Sequence, residues 1–228
     1  MSLPHVDILH FGETAQTNVW QGDFGRAYTD RNTFSVEDLN ALWMKNYGTS
    51  RSEITQTFLS EVPKNARILE VGCNVGNQLL LLQREGFSNL AGVEIQSYAV
   101  AAASARVPGA VFKQASALAL PFEDASFDLV FTSGVLIHIA PEDLPQAINE
   151  IHRCTSAYIW GTEYFSAEPA SVTYRGHESL LWKTDFAGLY LSAFSDLALV
   201  RERRLQYLEN ENVDTVFLLK KRAGERTA

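Results

Sequence analysis

A doubly wound α/β sheet is predicted by three features of this 228-residue sequence. Short apolar runs alternate with helical stretches from about residue 61 onward, a glycine-bearing turn closes the first run, and an acidic residue ends the second. Strands separated by helices of that length pair in parallel through right-handed crossovers, which gives a sheet covered by helices on both faces.

Residues 1–19 carry no sustained periodicity and are expected to form an arm whose order depends on docking. Residues 20–32 mix aromatics, glycines and charges, which suits a ligand-facing turn and short helix better than a plain core helix. Ser35 opens a helix, and Ser50 opens another with Glu53 at the capping-box spacing; Pro63 is expected to end it. Residues 67–71 read as a buried strand, 77–85 as a helix stopped at Gly86, and 90–94 as a second strand. Residues 97–106 are helical, and 111–114 and 127–131 are strands. A helix from about 141 to 153 leads into a fifth strand at 157–160. The last apolar runs, 197–200 and 213–219, have no long helix between them and suit an antiparallel pair. The expectation is a Rossmann-like, mostly parallel seven-stranded sheet closed by an antiparallel C-terminal strand pair. An N-terminal arm, lid and helices would occupy residues 1–60 and the core 61–228, one domain overall.

The formal charge of −8 leaves no broad basic face to neutralise a phosphate backbone, so nucleic acid is excluded as a partner. The N-terminal stretch lacks the charged and apolar regions of a signal peptide, and no run of 18 apolar residues occurs; a cytoplasmic protein without membrane contact is expected. Cys73 and Cys154 lie far apart and read as free thiols, and no metal-site spacing such as CxxC or HExxH is present.

The strongest local signal is ILEVGCNVG at 68–76, closing the first strand. A backbone that must approach a ligand needs glycine, because any Cβ stands in the way. The spacing E-x-G-x-x-x-G over Glu70, Gly72 and Gly76, with Cys73 and Asn74 between, is not the dinucleotide pattern G-x-G-x-x-G. It favours S-adenosylmethionine (SAM), whose linker has no pyrophosphate. Glu94, followed by Ile95, ends the second strand, where a carboxylate accepts both ribose hydroxyls. Two further loops at the same sheet edge extend the site: Ser116, Ala117 and Leu118 against the adenine, and Thr132 and Gly134 beside the methionine part.

These residues resemble the class I SAM-dependent methyltransferases over about residues 65–221. The resemblance implies methyl transfer that leaves S-adenosylhomocysteine, with Gly72 and Gly76 near the carboxypropyl group, Glu94 on the ribose, and Ser116 and Ala117 near the adenine. Residues 20–32, 70–76 and 174–188 are together similar to the methylases associated with pseudaminic acid biosynthesis. That similarity implies an amino-sugar or natural-product acceptor, carboxylated ones included.

On the acceptor side, His138 in GVLIHI (134–139) is the candidate general base, because imidazole titrates near neutral pH. The alternative is a hydrogen-bonded histidine that packs the loop. His177, in YRGH (174–177), is a second candidate; beside it Tyr174 would contact substrate and Arg175 would hold a carboxylate or phosphate. Glu163 and Tyr164, at the carboxyl end of the fifth strand, would line the same cleft. Trp20, Phe24 and Tyr28 would form a lid that excludes water, with Arg31 near a carboxylate of cofactor or substrate. Cys73 reads as a small packing residue, and His5, His10 and His152 have no evident partners. The reading is SAM-dependent methyl transfer to an O or N atom of a small polar metabolite. An NAD-dependent oxidoreductase or epimerase competes with it, against the missing third glycine and the absence of a Tyr-x-x-x-Lys pair. A SAM-binding protein without turnover is the other alternative.

Overall fold

The computed structural model describes residues 14–222. Helices α1 (Ala15–Gln21), α2 (Asp23–Arg31), α3 (Val36–Tyr47) and α4 (Arg51–Phe58) come first. The alternating part follows as β1 (Arg67–Val71), α5 (Asn77–Arg84), β2 (Asn89–Glu94), α6 (Ser97–Arg106), β3 (Val111–Gln114) and β4 (Phe127–Ser133). After a single 3-10 turn at Leu136–His138 come α7 (Leu144–Cys154) and β5 (Thr155–Tyr164). A two-strand pair, β6 (Ala170–Ser171) and β7 (Trp182–Lys183), precedes α8 (Phe186–Ala193), β8 (Leu197–Gln206) and β9 (Val213–Lys221).

The main sheet has seven strands in the order β3-β2-β1-β4-β5-β9-β8, as the alternation of the sequence predicts. Pairing is parallel from β3 to β5, and β9 runs antiparallel between β5 and β8. Strand order reverses between β1 and β4, so the connections leave in opposite directions and open a crevice at the carboxyl ends. Period-two alternation sorts the core: Ile68, Leu129, Phe131 and Trp160 meet α3, α4 and α5, while Leu69, Val130, Ile159 and Phe217 meet α7 and α8. Among the described residues no helix is long and apolar enough to cross a membrane.

The caps form where the sequence places them. Ser35 accepts from the Asp38 amide at 3.0 Å, and Ser50 and Glu53 close a reciprocal box at 3.1 and 2.7 Å. Each such cap contributes about 1 kcal/mol.

Several boundaries differ for local reasons. Of the expected arm, residues 1–13 lie outside the described residues, and the rest enters α1, started by a polar capping box between Thr14 and Thr17 that apolar periodicity does not register. Residues 20–32 belong to two helices that meet at Gly22, not to one turn and a short helix. Helix α4 ends at Phe58, before Pro63, because Leu59 and Val62 turn into the core. Helix α7 begins at Leu144, after a turn in which the Asp143 amide donates to the Ala140 carbonyl at 2.9 Å. Helix α8 and the β6–β7 pair have no counterpart in the sequence reading. His152 does have a partner, Asp196 at 3.0 Å, and stacks on Phe194 with ring centroids 4.0 Å apart. His5 and His10 lie outside the described residues. Cys73 and Cys154 are both free and buried.

Candidate active site

A cavity of about 300 Å³ opens at the carboxyl ends of β1, β2 and β4. The loop after β1 shapes one wall. Gly72 sits at φ 71°, and a Cβ there would come within 2.6 Å of Val135 Cγ2, so only glycine lets the two loops approach. The Gly72 and Cys73 amides both donate to the Val93 carbonyl, at 2.8 and 2.9 Å, which ties the loop to β2.

Glu94 closes the end of β2 and is 8% exposed. Its carboxylate accepts from the Asn74 amide at 3.0 Å, the Ile95 amide at 2.8 Å and the Gln96 amide at 3.1 Å. Burial raises the carboxyl above its ordinary range, and the three amides pull it back. Glu70, at the same edge on β1, is buried, and its Oε2 has no partner. Burial pushes that carboxyl well above the usual range, against the pull of Arg51.

Arg51 lies behind this wall and is wholly buried. Its guanidinium sits between the Trp43 and Trp160 rings, 4.6 Å from each centroid. It donates from Nε to Gln78 Oε1 at 2.8 Å and from Nη1 to Thr162 Oγ1 at 2.9 Å, while Nη2 has no partner. Desolvation lowers its pKa to about 10. Gln78 itself faces the cavity, so Arg51 fixes one polar group of the wall.

His138 ends the 3-10 turn and lines the cavity. Its Nδ1 lies 2.6 Å from the Leu180 carbonyl oxygen, which makes Nδ1 the protonated nitrogen. Burial lowers its pKa to about 4, so the ring is neutral and Nε2 is an acceptor. Trp20 lies over it with ring centroids 4.5 Å apart, and Tyr28 meets Trp20 edge to face at 5.3 Å. Burial pushes the Tyr28 hydroxyl up to about 12.

Of the residues singled out in the sequence, Glu70, Gly72, Cys73, Asn74, Glu94, Ile95, Ser116, Ala117, Leu118, Gly134, His138, Trp20 and Tyr28 line this one cavity. Burial raises the Cys73 thiol far above its usual range, which leaves it inert.

The others sit elsewhere. Gly76, at φ 75°, caps α5 and faces Val107 and Ala103. Thr132 is buried beside Glu163, and alternation along β4 presents Ser133 to the cavity instead. Glu163 does not line the cavity: its carboxylate braces the loop after β4, accepting from the Val135 and Ile137 amides at 3.0 and 3.4 Å. Tyr164 packs toward Tyr207, with centroids 6.1 Å apart. Phe24 backs Trp20, and Tyr174 packs on His138 and Phe24, both behind the wall. Arg31 does not reach the cavity, and Arg175 and His177 are exposed outside it.

Sequence reasoning missed Asn77, which lines the cavity from the first turn of α5. Its side chain donates to the Asn32 carbonyl at 2.6 Å and accepts from the Phe34 amide at 3.1 Å, joining the end of α2 to the glycine loop. Its position directly after Gly76 was the available signal. Thr14, Gln16 and Thr17 were missed because they lie in the segment read as an arm.

Residues 69–157 match the family model described as a methyltransferase domain. An uncharacterized methyltransferase of Synechocystis sp. is 32% identical over 87 residues, 38% of this chain and 41% of that protein. An uncharacterized protein of Haemophilus influenzae is 31% identical over 96 residues, 40% of this chain and 38% of its own length. The chain thus spans about two fifths of the length of these relatives. The Burkholderia thailandensis 1,6-didemethyltoxoflavin-N1-methyltransferase, solved with 1,6-didemethyltoxoflavin and S-adenosylhomocysteine, superposes with TM-score 0.63 at 14% identity, covering 88% of this chain and 89% of that one. A SAM-dependent methyltransferase of Methanosarcina mazei gives 0.60 at 21% identity, over 74% and 97%. The [4+2]-cyclase SpnF gives 0.62 at 14% identity, over 77% and 82%. The fold is the Rossmann-like fold of methyltransferases, and a cyclase shares it, so chemistry has to be argued from the cavity.

Proposed function

We propose that this chain is a class I SAM-dependent methyltransferase that transfers a methyl group to an O or N atom of a small polar metabolite. The observation that carries the proposal is Glu94. A buried carboxylate stands at the end of β2, across from the Gly72 loop, held by three amides and with acceptor capacity left on Oε2. The orphaned Oε2 of Glu70 supports the same reading, since a buried polar atom without a partner calls for a ligand group. The antiparallel β9 inserted between β5 and β8 also departs from the mostly parallel 3-2-1-4-5-6 strand order of dinucleotide enzymes.

In this reading the backbone at Gly72 to Asn74 borders the carboxypropyl end of SAM and Glu70 its ammonium. Glu94 holds the ribose, and Ser116, Ala117 and Leu118 flank the adenine. Bound SAM supplies an electrophilic methyl group on a sulfonium. His138 keeps its Nδ1 proton on Leu180 and offers Nε2 to the acceptor hydroxyl or amine, orienting it and receiving its proton as the new bond forms. Trp20 and Tyr28 cover the reacting centre and exclude water, with Phe24 and Tyr174 behind them. Arg175 stands at the exposed rim, 5.8 Å over the Tyr174 ring, where it meets any carboxylate the acceptor carries outside the cavity. The resemblance of residues 20–32 and 174–188 to pseudaminic acid-associated methylases supports an amino-sugar or natural-product intermediate as acceptor.

Thermal unfolding with added ligand tests the cofactor assignment. S-adenosylhomocysteine in large excess over its Kd is expected to raise Tm by on the order of 5–10 °C, and NAD to leave it unchanged. The opposite pattern would return the glycine loop to the dehydrogenase reading.

A further inference from the structure

Resting on the SAM assignment, we propose that the cavity selects by charge at the point of methyl transfer. It accepts a neutral or cationic group there, a hydroxyl or amine, and rejects a carboxylate or phosphate at that point.

The inventory of the walls carries the proposal. The acidic groups on the cavity are Glu70, Glu94 and Asp143, and no lysine or arginine lines it among the described residues. The nearby cations are committed elsewhere. Arg51 is sealed between two tryptophans. Arg106 donates to the Val75 carbonyl at 2.7 Å and to Asn77 Oδ1 at 2.9 Å, with a further bond to the Phe34 carbonyl. Arg175 stays outside, exposed.

Where His138 faces the cavity, the surroundings are aromatic. Trp20 lies 4.5 Å from the His138 ring and 5.3 Å from Tyr28, and Tyr174 packs behind His138 at 5.3 Å. Ring faces carry negative potential, which attracts a cation and repels an anion. His138 adds no compensating charge: burial keeps its ring neutral, and its one ring proton is spent on the Leu180 carbonyl. Neutral donors such as the Tyr28 hydroxyl and the unpartnered Trp20 Nε1 do not balance a full negative charge removed from water.

The reaction balances in such a wall. The methyl C–S bond breaks as the C–O or C–N bond forms, and the sulfonium's positive charge passes to the attacking atom. From a hydroxyl it then leaves as a proton through His138 Nε2 to solvent, whereas an amine enters as the free base and keeps it as the methylated ammonium, so positive charge occupies this spot throughout the transfer. An acceptor of the amino-sugar class would enter hydroxyl or amine first and leave its carboxylate at the rim beside Arg175.

The test uses SAM-like probes that differ only where the methyl group sits, titrated calorimetrically into the whole chain. Sinefungin, with an ammonium there, is expected to bind about tenfold more tightly than S-adenosylhomocysteine, whose thioether is neutral. The S-carbamoylmethyl and S-carboxymethyl sulfonium analogues are matched in shape, and the carboxylate is expected to bind about tenfold or more weakly than the amide. Equal affinities within both pairs, or a preference for the carboxylate, would overturn the proposal. In Trp20→Leu, which keeps apolar bulk without a π face, the sinefungin advantage is expected to shrink to about threefold or less. An undiminished advantage would remove the aromatic wall as its source. Failure of S-adenosylhomocysteine itself to bind is a separate outcome, which removes the cofactor assignment regardless of probe charge.

Discussion

Nδ1 of His138 lies 2.6 Å from the carbonyl oxygen of Leu180, a contact that fixes the proton on Nδ1 and turns a bare Nε2 toward the cavity. With a pKa near 4, the ring is neutral across the physiological range. Nitrogen-15 NMR of histidine-labelled protein is expected to show His138 as the neutral Nδ1–H tautomer at pH 7, unprotonated until well below pH 5. A His138 that titrates near 6.5, or that carries its proton on Nε2, would contradict this geometry.

Glu163 gives a pH signature of the opposite sign. Its carboxyl is raised to about 7 by burial, from an ordinary value of 4.5, so the folded chain binds its proton more tightly than the unfolded one. That contribution is complete below about pH 4.5 and is lost as pH rises through 7, by on the order of 2–3 kcal/mol. Glu163→Gln cannot ionise and keeps one acceptor for the Val135 amide. The Tm of the variant minus that of the wild type should therefore grow more positive between pH 5 and 8; a difference independent of pH would refute the assignment.

Gly72→Ala combines a left-handed backbone, φ 71°, with a Cβ 2.6 Å from Val135 Cγ2. Strain and clash together are expected to cost about 2–4 kcal/mol in denaturant unfolding. Trimming the neighbour in the Gly72→Ala, Val135→Ala double variant should make the pair non-additive, recovering the clash and leaving about 1–2 kcal/mol of backbone strain beyond the cost of Val135→Ala alone. Strict additivity would show that the side-chain contact is not the problem.

The central strands β1, β2, β4, β5 and β9 were legible because each carries an apolar run buried in a sheet covered on both sides, and local composition reports that directly. Gly72 was legible because the turn after β1 needs a glycine where it meets Val135, and Glu94 because an acid at the end of the next strand is the pattern of nucleotide sites in this fold class. Glu163 misled because strand alternation, not its place at the strand's carboxyl end, decides which way it points. Arg51 was missed altogether. A charged residue at the start of a helix reads as solvated, and only tertiary packing against Trp43 and Trp160 buries it. Tyr174 and Phe24 reached the neighbourhood of the site through aromatic packing, one layer behind the positions their motifs suggested.

Calorimetric titration with S-adenosylhomocysteine of the wild type and of Glu94→Ala, with NAD as control, tests the central claim most directly. The wild type should bind S-adenosylhomocysteine with a single site and give no heat with NAD. Glu94→Ala should bind about 10–100-fold more weakly, the loss of a charge-assisted bidentate contact. Binding of NAD, no binding of S-adenosylhomocysteine, or an affinity unchanged by the substitution would contradict the assignment of this cavity to SAM.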